Sequence, residues 1–209
     1  MELRDALSQI AEIRQQVART EVFRGYRSVP IAFSSGVAFL GAALQESWVP
    51  NPAAVPLAYV RYWFVAAVVS MAASGATLFY RYRRTESALA RSMTWLAVEQ
   101  FLPCLGVGGL ATLVLACVSE DSLRLLPGLW AIFFSLGIFA SARLLPRPAF
   151  WIGQYDLAAG LFTLLLAQGE YAFSPLAMAG TFGIGQALAA VMFYWTLERH
   201  HEARQSRSI

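Results

Sequence analysis

The sequence predicts an all-α, polytopic integral membrane protein: six transmembrane helices preceded by an amphipathic helix on the cytoplasmic face. Three observations predict it. Hydrophobic residues make up 57% of the 209 and charged residues only 14%, against about 25% charged in soluble domains, and the mean hydropathy is +0.51. Six apolar stretches each approach the ~20 residues that a spanning helix needs. The arginines fall almost entirely on one side of those stretches.

Residues 1–28 place Leu3, Leu7, Ile10, Ile13 and Val17 at helical spacing among Arg, Glu and Gln, which makes one apolar stripe on an otherwise polar helix. Its mixed charges favour docking on a protein surface over simple attraction to anionic lipid. No cleavable signal peptide is expected, because polar residues fill this stretch before any apolar run begins. The expected spans are Pro30–Trp48, Pro56–Phe79, Trp95–Val118, Leu126–Leu145, Pro148–Gln168 and Ser174–Leu197. They form a bundle over 29–197, and residues 198–209 are a charged tail. The proline-rich turn 49–56 stops the first helix and starts the second. Counting arginines on alternate sides gives fourteen against two, Arg61 and Arg124, which under the positive-inside rule puts both termini in the cytoplasm of a cell with this protein in its inner (plasma) membrane. Trp48, Trp63 and Trp130 fall at the expected outer interface and Trp95, Trp151 and Trp195 at the inner one, where amphipathic rings prefer to sit.

The two halves share weak matches in preserved order: Ser34–Val37 with Ser135–Ile138, Trp63–Ala67 with Tyr155–Ala159, and Leu105–Gly108 with Phe182–Gly185. With three spans in each half, these matches suggest an inverted 3+3 repeat with a site near the midplane.

The composition also excludes chemistry. All sixteen basic residues are arginines, so no lysine exists for a Schiff base or a phosphate-loop contact. Cys104 and Cys117 lie in one expected helix, roughly 20 Å apart, too far to pair within a monomer. His200 and His201, the only histidines, sit in the charged tail, which argues against haem ligation inside the bundle and against a metal site. Gly180–Gly185 superficially resembles a nucleotide-binding glycine pattern, but no strand precedes it; like Gly106, Gly108 and Gly109 it reads as close helix packing. Nothing arranges a nucleophile with a base or pairs two carboxylates, so catalysis is not expected, and neither cofactor nor nucleic acid is expected as a partner.

One residue stands apart. Asp156 is the carboxylate that cannot reach an interface, about nine residues inside the fifth span, where insertion scales charge a few kcal/mol for an acid. Gln186 in the sixth span and Ser74 and Ser70 in the second lie at comparable depth as candidate partners. Glu99, one turn inside the third span and followed by Pro103, is a candidate for a gate at a kink. Asp156, Gln186, Ser74 and Glu99 are thus the candidate ligand- or ion-binding residues. The expected function is transport or conduction of a small solute or ion with Asp156 as the polar site. The alternative is a non-transporting membrane subunit, a scaffold or sensor that binds lipid, pigment or a protein partner, paired with it or with a second copy through the N-terminal helix.

Overall fold

In the computed structural model every regular element among the described residues, 28–84, 88–166 and 169–198, is helical. Six helices are long and apolar enough to cross a membrane. The expected N-terminal amphipathic helix and the histidine-bearing tail lie outside the described residues.

The helices are α1 (Ser28–Trp48), α2 (Pro56–Arg84), α3 (Ala88–Val118), α4 (Leu126–Ala140), α5 (Ala149–Leu166) and α6, the helical run 175–198. Going round the bundle, α2 packs on α1, α1 on α6, α6 on α5, α5 on α4 and α4 on α3, while α2 and α3 meet only marginally. That order explains the burial. Only 6% of the apolar window of α2 or of α3 is buried, against 33% for α1, 39% for α6 and 44% for the span that includes α4, so α2 and α3 are the outer walls.

Each helix end has a local cause. Asn51 turns the chain after α1 by accepting a hydrogen bond from the Ala54 N–H, and Pro56 opens α2, where a missing N–H costs nothing. After α3, Ser119 caps a 3-10 turn, Glu120–Leu125, accepting from the Ser122 N–H. This turn pairs Arg124 with Asp121 at 3.1 Å and drives Leu123 into the core. Pro127 sits in the first turn of α4 and Pro175 opens α6 behind the Ser174 cap.

The fourth helix stops at Ala140, not at the expected Leu145. Pro146 and Pro148 bar continuation, and Ser141–Leu145 forms turns that tuck Leu144 against Ala97. α3 runs unbroken through Pro103.

At the end that holds the α1–α2 turn, Val49, Tyr59, Val60, Trp63, Leu123, Leu126, Ala172, Phe173 and Met178 form one buried cluster. A polar bridge lies inside it: Gln45, only 1% exposed, donates from Nε2 to the Phe173 carbonyl at 2.8 Å and accepts from Trp63 Nε1 at 3.0 Å. Gln45 thereby satisfies its own amide and the Trp63 N–H while joining α1, α2 and the turn before α6. α4 and α5 meet backbone to backbone where Gly128 faces Gly160: a Cβ on Gly128 would stand 2.7 Å from the Gly160 carbonyl oxygen.

Candidate functional site

The sixth helix is not a regular α-helix. Residues Ala179–Ile184 form a wide π-turn, and the α-helix resumes at Gly185. Three glycines, Gly180, Gly183 and Gly185, fall in or beside this segment. Wide turns of this kind redirect carbonyls away from regular helix partners, and here neighbouring helices use two of them. Ser35 of α1 donates to the Gly183 carbonyl at 2.8 Å, and Tyr155 of α5 donates to the Gly180 carbonyl at 2.6 Å. Glycine at 183 lets the Phe39 ring of α1 close on the backbone, where a Cβ would stand 2.9 Å from it. The segment is therefore clamped from both sides.

Asp156 projects from the middle of α5 onto this clamp. It is 3% exposed, and its Oδ1 lies against Gly185, where any Cβ would collide with the carboxylate. Its Oδ2 is buried and has no hydrogen-bond partner among the described residues. The threonine hydroxyls of these two helices are spent within their own helices: Thr181 donates to the Ala177 carbonyl at 2.7 Å and Thr163 to the Ala159 carbonyl at 2.8 Å. From the same π-turn Phe182 reaches across the bundle to Phe134, which in turn meets Phe101, both pairs edge to face. The carboxylate thus sits beside a wide helical turn with one oxygen unanswered. This arrangement can accept a proton or coordinate a small cation.

The four residues expected from sequence do not converge. Gln186 is half-buried on α6, next in sequence to Gly185, and makes no hydrogen bond to Asp156. Ser74 is half-buried on α2, a helix that packs on α1 and has no substantial interface with α5. Glu99 is exposed on α3, which packs on α4. Only Asp156 of the four is at the clamp. Ser35, Tyr155, Gly183 and Gly185 are the neighbours that the sequence reading did not assign to it. The density of glycine in 180–185 was the available signal, since three glycines within six residues weaken a regular helix.

Comparison with known protein families, with curated proteins and with solved structures found no match for this chain.

Proposed function

We propose that the protein is an integral membrane carrier or channel for a small solute or ion, with Asp156 as the group that takes up and releases a proton or small cation. The observation that carries this reading is the buried, unpartnered Oδ2 beside the π-turn. A carboxylate serving only to tie two helices together would be bonded to one of them, because a buried acid without a partner costs several kcal/mol and returns nothing to the fold. The six apolar helices support membrane insertion, and the fourteen-to-two division of arginines supports both termini on the cytoplasmic side of the plasma membrane. An inverted 3+3 relation between the halves belongs to the same proposal and agrees with a site near mid-span.

The test is flux in liposomes that contain the purified protein. Under a potassium diffusion potential, proton entry is followed with a trapped pH dye and sodium entry with a trapped sodium dye. Wild type passes one of the two, and Asp156→Asn, folded by circular dichroism and gel filtration, loses it. Equal flux in the variant, or no flux of either ion in the wild type, overturns the reading.

A further inference from the structure

α1 and α2 are pressed together near their connecting turn, and a groove lies between them further along. Near the α1–α2 turn, the Trp63 ring covers Gly41, where a Cβ would stand 3.1 Å from it, and Tyr62 donates to the Gly41 carbonyl at 2.8 Å. Towards the opposite end lies a groove of about 330 Å³, lined by Val29, Pro30 and Phe33 of α1 and by Ala73 and Thr77 of α2. Thr77 spends its hydroxyl on the Ala73 carbonyl at 2.9 Å, so the wall it presents is effectively apolar. A groove of this size falls within the usual range for small-molecule sites.

The groove continues into a charged feature. Ala73, Thr77, Tyr80 and Arg84 follow one another at steps of four, three and four residues, which puts them on one face of α2. Tyr80 is exposed, and the Arg84 guanidinium lies 4.6 Å over its ring. Arg83 stacks likewise on Phe79 at 5.1 Å. From Thr77 to Arg84 the rise is about 10 Å. The stripe therefore passes from an apolar groove through an amphipathic ring to a guanidinium, the order of chain, interface and phosphate in a phospholipid.

We propose that this groove holds an acyl chain of an anionic phospholipid of the surrounding bilayer, with its phosphate bound by Arg84. Charge complementarity selects the headgroup: Arg83 and Arg84 stand together at the end of α2 and are exposed, and the described ion pair of the chain, Arg124 with Asp121, lies elsewhere. The site is separate from Asp156, so it stands or falls independently of the flux reading.

Native mass spectrometry of the full chain released from detergent, with palmitoyl-oleoyl phosphatidylglycerol or phosphatidylcholine added in equal amounts, tests it. Phosphatidylglycerol adducts should exceed phosphatidylcholine adducts at least threefold. Arg84→Gln should remove that preference, and Ala73→Phe, which fills the groove at an open position, should cut retention of phosphatidylglycerol at least threefold. Equal binding of the two lipids, preference intact in Arg84→Gln, or retention unchanged in Ala73→Phe each overturns the proposal. Arg84→Gln sits at an exposed helix end, so its result does not depend on tolerance of the bulkier side chain.

Discussion

Replacing Gly128 by alanine tests whether the α4–α5 contact is the tight joint of the bundle. The new methyl would stand 2.6 Å from Leu164 Cγ, 2.9 Å from Leu164 Cδ2 and 2.7 Å from the Gly160 carbonyl oxygen. The leucine can rotate away. The carbonyl belongs to the backbone of α5 and cannot, and carbon–oxygen contacts between helices normally settle at about 3.3–3.6 Å. The helices must therefore part by more than half an ångström along the line of that contact, loosening the dispersion contacts around it. Overpacking of this kind costs about 1–3 kcal/mol. Gly106→Ala is the matched control, because no described atom lies within 4 Å of its methyl position and alanine gains up to about 1 kcal/mol in helix propensity. Unfolding each variant by titration with sodium dodecyl sulfate in mixed micelles, followed by circular dichroism, gives the comparison. Gly128→Ala should unfold at lower denaturant than wild type and Gly106→Ala at the same point or higher, a separation of about 1–3 kcal/mol. Coincident curves for the two would refute the reasoning.

Two further substitutions probe the polar contacts. Gln45→Ala strands the Trp63 N–H and the Phe173 carbonyl in a buried cluster, so it should lower stability by about 1–3 kcal/mol, with a matching change in tryptophan near-ultraviolet circular dichroism; an unaltered spectrum would count against the bridge. Ser35→Ala combined with Tyr155→Phe removes both donors to the π-turn. Membrane hydrogen bonds contribute under about 2 kcal/mol each, so the chain should stay folded while amide exchange rises selectively in 179–186, and exchange no faster than in wild type would dispose of the clamp.

The apolar spans were legible because length and hydropathy alone determine what can cross a bilayer, and Pro56, Pro127 and Pro175 marked helix starts in plain view. The early stop at Ala140 was harder: Ser141–Leu145 is as apolar as a helix end, and the deciding prolines lie beyond it. Asp156 announced itself by its cost. Its surroundings did not, since depth along a helix says nothing of which face is presented, and Ser74 and Gln186 matched Asp156 in depth without bonding it. Glycine spacing had the same weakness. Gly106, Gly109 and Gly180 face space free of described atoms, whereas Gly128 and Gly160, neither of them in a glycine cluster, bring two helix backbones together. Gln45 was illegible for a different reason. In Leu44-Gln-Glu-Ser47 it reads as the polar rim of a span, and only the fold turns it inward.

The first of two π-segments in α6, Ala179–Ile184, works as a phase corrector, the second being Tyr194–Glu198 at its end. Met178 and Phe193 are both buried, yet fifteen residues at the α-helical 100° per residue overshoot whole turns by about 60°. A turn that takes up surplus residue lets both halves of α6 address the same neighbours. The face that builds the fold is thus kept in register by the segment that Asp156 packs against. Chain length, together with the glycines of 180–185, links the two: a sixth helix without the surplus would have no irregular turn for the carboxylate to meet.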